Sequence, residues 1–428
     1  MSNLILGREY ILSVEQYCLQ YKMSQVVIIG AGPTGLTLAM LLVQRGIRVK
    51  LIEASRNFRR TFRGEALMPS GLDAIDQMGL TDLVARIPHR PLDAWEFIIE
   101  QRSIFRVDEP MEAGGKPCTL ISQPAFLEGV MESASKCPSF EFISGTGVRD
   151  LVWQDDRVVG VTLSDNRQIA ADLVVGADGR NSLVRQKANL TLETEAQSYD
   201  ILWFKLASSA DFEAENIFYS VLSGNAGFGL FLGSEGQLQV GWSLHQDEQK
   251  QDAPGQWRDD WVDKLATASP DWLAAAFRQQ ADSIERPFLL SVTVGRCPSW
   301  HIPGVLLLGD AAHPMSPIRA QGINMALRDV VVATNHLVPL LQQHPKFAEI
   351  DALLSQIQAE REPEIIQIQK LQRAEIAQGE LLRNYPPIRY AVSRLAPRIP
   401  LFRQRIRQSW IDRQLQLRRG FTQVDLKV

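Results

Sequence analysis

Residue types that suit the binding of a dinucleotide occur in GAGPTG at positions 30–35, followed by Glu53. Gly30 permits a tight turn, Gly32 lets the backbone approach a pyrophosphate, and Gly35 lets a helix pack closely on a strand. The carboxylate of Glu53 can accept hydrogen bonds from the ribose hydroxyls of an adenosine. Because an acid at this position does not suit a ribose 2′-phosphate, the pattern favours FAD or NAD over NADP.

The flanking residues predict the strand–helix–strand unit that would position these groups. Residues 25–29, QVVII, form a short β-branched run typical of a buried parallel strand. Apolar residues recur at helical spacing from Leu36 to Arg45, and Gly46 can end that helix. A second strand is predicted over residues 47–52. The N-terminus of the helix then offers free N–H groups and a positive dipole to phosphates.

A second set of candidate ligands lies in VLLLGDAAHPMSPIRAQGINMAL, residues 305–327. We predict a strand over residues 304–308 and a sharp turn at Gly309. Asp310 would then lie beyond the C-terminal end of that strand, where open α/β sheets bind their ligands. Its carboxylate could accept hydrogen bonds from the hydroxyls of a polyol such as the ribityl chain of FAD.

The end of the same stretch predicts a helix. Residues 321–324, QGIN, open it, and it runs to about Leu341. Its N-terminus would stabilise negative charge on a reduced isoalloxazine ring. In the loop before it, Pro317 is placed to shape the loop and line the flavin face, and His313 is interpreted as a structural residue of the turn.

A third motif, GADG at 176–179, follows a predicted strand over residues 173–175. Ser182 can cap the helix that follows the turn. By itself the pattern indicates an ordinary strand–turn–helix in which Asp178 is a capping residue. Its position after a hairpin-like stretch, residues 160–169, favours a role for Asp178 at the nucleotide site.

These three ordered motifs, with GDAAHPMSP at 309–317 as the last, resemble the signatures of the single-component (class A) FAD-dependent aromatic hydroxylases. The class includes para-hydroxybenzoate hydroxylase-like enzymes, ubiquinone-pathway hydroxylases and polyketide monooxygenases, and the resemblance covers residues 23–345. It implies noncovalent FAD, NAD(P)H as a transient reductant and dioxygen as co-substrate. It also implies transfer of one oxygen atom, through a flavin C4a-hydroperoxide, to an aromatic or other electron-rich small organic substrate.

The resemblance also implies cofactor contacts outside the motifs. Arg63 lies in a segment that contacts the cofactor in this class, Gln123 matches a flavin-contacting Gln, and Val148 falls where the adenine meets the backbone. The expected cofactor-binding residues are Gly30, Gly32, Pro33, Thr34, Gly35, Glu53, Ala54, Arg63, Gln123, Val148, Asp178, Gly309, Asp310, Pro317, Ala320, Gln321, Gly322, Ile323 and Asn324.

The chain departs from the class at Arg319 and Ala320, where the class usually has two glycines. Ala320 is a mild change. Arg319 could clamp an acidic substrate, orient the reduced flavin, or project to solvent. Two other functions on this fold stay open: a flavin-dependent reductase or isoprenoid-modifying enzyme, and a non-catalytic FAD-binding redox sensor.

The predicted fold class is α/β, with a Rossmann-like FAD-binding domain, a mixed antiparallel substrate domain and C-terminal helices. The FAD-binding domain is assigned to residues 23–95, 121–189 and 293–345, and the substrate domain to residues 96–120 and 190–292. Residues 1–22 are an N-terminal extension, and residues 346–428 form a helical region with a basic tail.

Aromatic-rich pieces of alternating pattern predict the strands of the substrate domain, namely residues 201–206, 217–222 and 228–244. Tyr219 and His245 are the acid–base candidates there, and Arg319 is a third catalytic candidate. No catalytic residue is assigned.

The C-terminal part begins with a long polar helical stretch, residues 346–378, and ends in a tail where arginines alternate with apolar residues. The tail could lie on an anionic membrane as a peripheral contact. Alternatively, it could pack on the acidic body of the protein or on a partner subunit. The oligomeric state is left open.

The composition of the chain narrows the kinds of partner, location and metal site to be expected. The formal net charge of -4 gives no reason to expect nucleic acid as a partner. The four cysteines show no pairing or metal-ligand spacing, so we expect a reducing, cytoplasmic location and no metal site. A small molecule is the expected partner.

Overall fold

The computed structural model describes residues 25–58, 64–196, 199–245 and 257–428. The predicted N-terminal extension, residues 1–22, and Arg63 lie outside these ranges. The strands are β1 Gln25–Ile29, β2 Arg48–Glu53, β3 Ala66–Leu67, β4 His89–Pro91, β5 Ala94–Ile99, β6 Arg102–Asp108, β7 Thr119–Ile121, β8 Phe140–Ser144, β9 Val148–Gln154, β10 Arg157–Leu163, β11 Gln168–Ala170, β12 Leu173–Gly176, β13 Glu193–Glu195, β14 Tyr199–Ala207, β15 Ile217–Ser223, β16 Ala226–Leu232, β17 Gln237–His245, β18 Phe288–Leu290, β19 Val294–Arg296, β20 His301–Ile302 and β21 Val305–Leu307.

The two longest helices, of 21 and 38 residues, follow each other in the chain. The helices are α1 Pro33–Gln44, α2 Pro69–Gln77, α3 Thr81–Arg86, α4 Gln123–Ser135, α5 Leu183–Lys187, α6 Ala210–Ala214, α7 Trp257–Ala268, α8 Asp271–Gln279, α9 Gln321–Leu341, α10 Phe347–Asn384, α11 Pro386–Leu395 and α12 Pro400–Arg419. Short 3₁₀ turns occur at Gly309–Ala311 and Ile318–Ala320.

A six-stranded sheet in the order β20-β21-β12-β1-β2-β8 holds the strands of the nucleotide motifs. Its neighbours are parallel except for β20 with β21. Strand β1 is apolar after Gln25, because both of its faces are covered there. Val26 and Ile28 pack with α1 and α9, whereas Val27 and Ile29 pack with the three-stranded sheet β9 to β11. The predicted strand–helix–strand unit is confirmed, although its helix begins at Pro33 rather than at Leu36.

A second sheet, of seven strands, has the order β18-β14-β17-β16-β15-β5-β6. It is antiparallel except where β5 runs parallel to β15. The sheet begins at Ala94, inside the segment predicted for the FAD-binding domain. The stretch 228–244, predicted as one piece, is two strands joined by a turn at 233–236. One face of this sheet packs on α7 and α8, and the other contributes to a cavity.

The C-terminal helices pack on the body of the protein, because the arginines of the tail find acidic partners there. Arg418 Nη2 donates to Glu109 Oε2 at 2.7 Å, and both side chains are buried. Arg389 pairs with Glu100, and Arg413 Nε lies 3.0 Å from Glu375 Oε1. The structure thus has these side chains on the protein's own acidic body, one of the two arrangements that the sequence left open. No helix in the described ranges is long and apolar enough to cross a membrane.

Candidate functional site

A cavity of about 1590 Å³ lies between the two large sheets and the helices α10 to α12. Its volume exceeds the roughly 300–1,000 Å³ of typical small-molecule pockets, so it has room for a dinucleotide and a second ligand. Most of the predicted cofactor residues line it: Gly30, Gly32, Pro33, Thr34, Glu53, Ala54, Gln123, Val148, Asp178, Asp310, Pro317, Ala320, Gly322 and Ile323.

The turn between β1 and α1 forms one end of this cavity. Gly30 has a φ of +98°, and a Cβ there would overlap the carbonyl oxygen of Ala177. At Gly35 a Cβ would overlap the carbonyl oxygen of Gly30, so the close helix–strand approach requires glycine at both positions. Gly32 differs, because a Cβ there would meet nothing within 4 Å and would project into open space. Gly32, the N-cap residue of α1, provides no side-chain cap, so N–H groups at this end of the helix are available to an anion as far as the described residues are concerned.

Glu53 stabilises the same turn through hydrogen bonds. Its buried carboxylate accepts a hydrogen bond from Ala31 N at 2.9 Å through Oε2 and from Ser55 N at 2.8 Å through Oε1. It therefore ties the end of β2 to the glycine turn while it lines the cavity. An adenosine ribose would meet a carboxylate whose position is already fixed.

The turn after β21 presents Asp310 to the cavity. Gly309 has a φ of +59°, the left-handed region that favours glycine. Asp310 is exposed on the cavity side, and a Cβ at Gly322 would come 3.7 Å from its Oδ1. Ala320, the N-cap residue of α9, provides no side-chain cap, and Gly322 in the first turn of that helix lines the same cavity as Asp310.

Buried charges hold this turn from behind. Asp329 Oδ2 accepts a hydrogen bond from Gly309 N at 3.1 Å and lies 2.7 Å from His313 Nε2. Arg361 Nε donates to Asp329 Oδ1 at 2.8 Å, and Arg361 also pairs with Glu364. Burial raises the pKa of Asp329, but His313 and Arg361 outweigh it and hold that pKa below the usual value. His313, buried and outside the cavity lining, has the structural position that the sequence predicted.

Asp178 lies at the cavity wall, but its carboxylate is engaged by the helix that follows. Oδ1 accepts a hydrogen bond from Ser182 Oγ at 2.6 Å, and Oδ2 accepts from Leu183 N at 2.7 Å. Burial raises the pKa of Asp178. Ser182 caps α5, as predicted, by accepting from Arg185 N. The structure therefore gives Asp178 the capping geometry at a position that also borders the cavity.

Four of the predicted residues lie just behind the cavity wall, namely Gly35, Gly309, Gln321 and Asn324. Asn324 is fully buried, where its Oδ1 accepts from Met68 N at 2.9 Å and its Nδ2 donates to Ala320 O at 2.6 Å. Gln321 Nε2 donates to Arg319 O at 2.9 Å. The amide side chains of Asn324 and Gln321 thus fix the start of α9 from behind the cavity wall, which Ala320, Gly322 and Ile323 line.

Arg319 does not project to solvent, so that interpretation is wrong. Its side chain is 11% exposed, lines the cavity, and donates from Nη2 to Glu375 Oε2 at 3.0 Å. Both Arg319 (φ +60°) and Ala320 (φ +50°) adopt the left-handed conformation for which the class uses glycines. Alanine at 320 therefore carries backbone strain that the sequence did not indicate.

The two acid–base candidates have different locations. His245 lines the cavity, with Nδ1 3.5 Å from Glu380 Oε1. Tyr219 does not line it, because neighbouring residues of a strand point to opposite faces and Phe218 takes the cavity side. Tyr219 instead packs under Trp272, and burial raises its pKa to about 12. Tyr219 is therefore corrected from a catalytic candidate to a core residue.

Sequence reasoning missed several residues that shape the site. Asp329 could have been found, because an Arg–Asp pair inside the apolar helix α9 signals buried charges that need partners. Glu375, Trp95 and Trp410, which border the cavity near Arg319, carry no local signal. They come from three elements far apart in the chain.

Comparison with known proteins supports the same interpretation. A 6-methylpretetramide 4-monooxygenase of Streptomyces rimosus is 31% identical over 407 residues, which covers 92% of this chain and 94% of that protein. Ubiquinone hydroxylase UbiL of Rhodospirillum rubrum is 26% identical over 361 residues, covering 80% of this chain and 79% of that protein. The solved structure of PqsL of Pseudomonas aeruginosa in complex with 2-aminobenzoylacetate has a TM-score of 0.72 at 21% identity, over 87% of this chain and 98% of that one, and it shows the same fold.

The match to a family model extends beyond the three motifs. The model, described as an FAD binding domain, matches residues 23–370, which include both glycine turns, Asp178 and the start of α10. The predicted family and fold class are thereby confirmed: the chain belongs to the FAD binding domain family.

Proposed function

We propose that this protein is an FAD-dependent monooxygenase that uses NAD(P)H and dioxygen to insert one oxygen atom into an aromatic or other electron-rich small organic molecule. One observation carries the proposal. A single cavity joins a dinucleotide cradle at Gly30–Thr34 to an aromatic chamber under the seven-stranded sheet, and Asp310 and the start of α9 lie in its wall.

The residues present fit FAD. Gly32 leaves open space where a pyrophosphate would approach, and the uncapped N-terminus of α1 faces it. Glu53 would bind the adenosine ribose, Asp310 the ribityl hydroxyls, and the backbone at the start of α9 the flavin ring. When bound, FAD would supply hydride acceptance from NAD(P)H and activation of dioxygen.

The chamber next to this cradle has the character that oxygen insertion requires. Aromatic and aliphatic side chains predominate in its lining, among them Trp95, Phe105, Trp203, Phe231 and Trp410. An apolar enclosure excludes water from the reacting atoms and gives flat faces on which an aromatic substrate can stack. In this space His245 is an acid–base side chain that could hold or move a proton.

Both curated relatives are named for oxygen insertion, one as a 4-monooxygenase and the other as a hydroxylase. Their named substrates differ from each other. For this chain we therefore propose the reaction type together with an aromatic or electron-rich substrate class, and no individual substrate.

The purified protein should be yellow and should release unmodified FAD on denaturation. A screen of aromatic compounds should find substrates that accelerate NAD(P)H oxidation and yield a product heavier by one oxygen atom, labelled when ¹⁸O₂ is used. A protein that takes up no FAD would refute the proposal. Accumulation of dihydro products without oxygen would indicate the reductase, and FAD reduction with no product from any compound would indicate the redox sensor.

We further propose that the protein acts in the cytoplasm, as its cysteine usage suggests. A transient membrane contact would use the exposed apolar residues of α11, α12 and the turn between them, which include Leu395, Ile399 and Leu401 beside the exposed Arg398. Sedimentation with anionic and with neutral vesicles distinguishes a charge-assisted contact from none.

A further inference from the structure

We propose that Arg319 forms an anion-recognition site in the aromatic chamber, and that the substrate is a planar aromatic molecule carrying an acidic oxygen, as in a carboxylate or an ionised phenol or enol. The inference rests on the proposed function only in placing the substrate in this chamber. It assigns to Arg319 a specificity-determining role.

The guanidinium of Arg319 has hydrogen-bonding capacity to spare. Its one hydrogen bond to another described residue runs from Nη2 to Glu375 Oε2. Its Nε is buried and has no acceptor within the described part of the chain. A buried donor without a partner is costly, and the 11% of the Arg319 side chain that stays exposed borders the cavity, where a ligand oxygen would add an acceptor for the guanidinium.

The charges around Arg319 leave a net positive site. Glu375 lies between two arginines, accepting from Arg319 through Oε2 and from Arg413 Nε through Oε1 at 3.0 Å. Burial raises the pKa of Glu375, but the two arginines outweigh it and hold that pKa below the usual value, so the carboxyl is ionised. Two guanidinium groups and one carboxylate leave one positive charge in an apolar wall, where an anion would be attracted strongly.

Aromatic rings surround the same guanidinium. Its carbon lies 5.1 Å from the ring centroid of Trp410, 5.5 Å from that of Trp95 and 5.6 Å from that of Phe97. Such rings stabilise a cation through their faces. They also border the cavity, so a planar substrate could stack on them while its acidic oxygen reaches Arg319.

The backbone gives no structural reason for an arginine here. At a φ of +60°, glycine would hold the turn without the steric cost that a Cβ brings. Non-glycine residues in the left-handed region tend to persist where a site requires them. Arginine at this position supplies a charge that glycine lacks.

The test compares two probes of nearly equal shape, anthracene-2-carboxylate and anthracene-2-carboxamide. Binding to the FAD-loaded protein is followed by tryptophan fluorescence, since Trp95 and Trp410 lie beside the site. The wild-type protein should bind the carboxylate at least about tenfold more tightly, because the carboxamide keeps an acceptor oxygen but has no negative charge to pair with the guanidinium. Arg319→Gln should abolish this preference and leave carboxamide binding and FAD content nearly unchanged.

Arg373→Gln is the matched control, because Arg373 lies on the same helix as Glu375 but forms an exposed pair with Glu195. It should keep the wild-type preference. Equal affinity of the wild-type protein for both probes would overturn the proposal, and so would a preference that survives Arg319→Gln. The first of these measurements does not depend on whether the variant folds. Failure of the proposed function has another signature, namely no FAD uptake or no oxygenated product, and in that case the two probes are titrated against the protein as purified.

Discussion

Asp329 accepts a hydrogen bond from the backbone N–H of Gly309 at 3.1 Å, although its side chain is fully buried and lies outside the cavity. The turn that presents Asp310 is therefore held in place by a residue of helix α9 behind it. Arg361 fixes the other carboxylate oxygen of Asp329 at 2.8 Å, so the long helix α10 takes part in the same support. The helix α10 and the turn that presents Asp310 are thus linked through one buried carboxylate.

Asp329→Ala should destabilise the protein by about 3–5 kcal/mol, because it leaves Arg361 as a buried charge without its main partner. Urea-induced unfolding followed by circular dichroism measures the change. Glu132→Ala is the control, since Glu132 forms an exposed pair with Lys136 on α4 and its loss should not move the midpoint measurably. A similarly small change for Asp329→Ala would show that the network does not support the turn.

The contribution of Asp329 should also depend on pH. Its pKa in the folded protein lies below the usual value of 3.8, so the unfolded chain binds a proton more readily than the folded one. The stability it contributes is complete above that value and is lost as the pH falls through the lower folded-state pKa. The difference in unfolding free energy between wild type and Asp329→Ala should stay constant from pH 7 to about pH 5 and narrow below about pH 4. If the difference in unfolding free energy between the two proteins instead widened on acidification, folding would not lower the pKa of Asp329.

Gly30→Ala should impair the stability of the protein, whereas Gly32→Ala should impair FAD binding. The first places a Cβ against the carbonyl oxygen of Ala177 and should lower the melting temperature of the FAD-free protein. The second meets no protein atom within 4 Å and should leave that temperature unchanged, but its methyl group would block a pyrophosphate. Thermal unfolding without FAD and titration with FAD separate the two effects. Tight FAD binding by Gly32→Ala would place the pyrophosphate elsewhere.

Asp310→Ala should weaken FAD retention roughly tenfold, as expected when a charged acceptor is lost from ribityl hydroxyls. The ratio of flavin to protein absorbance after gel filtration provides the measurement. Asp156→Ala, at an exposed turn away from the cavity, is the control and should retain FAD like the wild type. Unchanged affinity and spectrum in Asp310→Ala would refute the assignment of this turn to the ribityl chain.

The sequence by itself determined the local elements of the cradle. The β-branched run of β1, the glycines at 30 and 35 and the helical spacing after them predict a strand, a tight turn and a closely packed helix, and the structure has all three. Helix α9 begins at Gln321 and ends at Leu341, as its pattern predicted. These features were readable because each depends on residues that are neighbours in the chain.

Only the tertiary structure decided what depends on residues far apart in sequence. It placed Arg319 against Glu375 and among rings from β5 and α12, and excluded the solvent-facing alternative. It also turned Tyr219 into the core and His245 toward the cavity, because the partner layers decide which face of a strand is covered. A buried charge must find its partner wherever the fold brings one, and no local pattern of residues names that partner in advance.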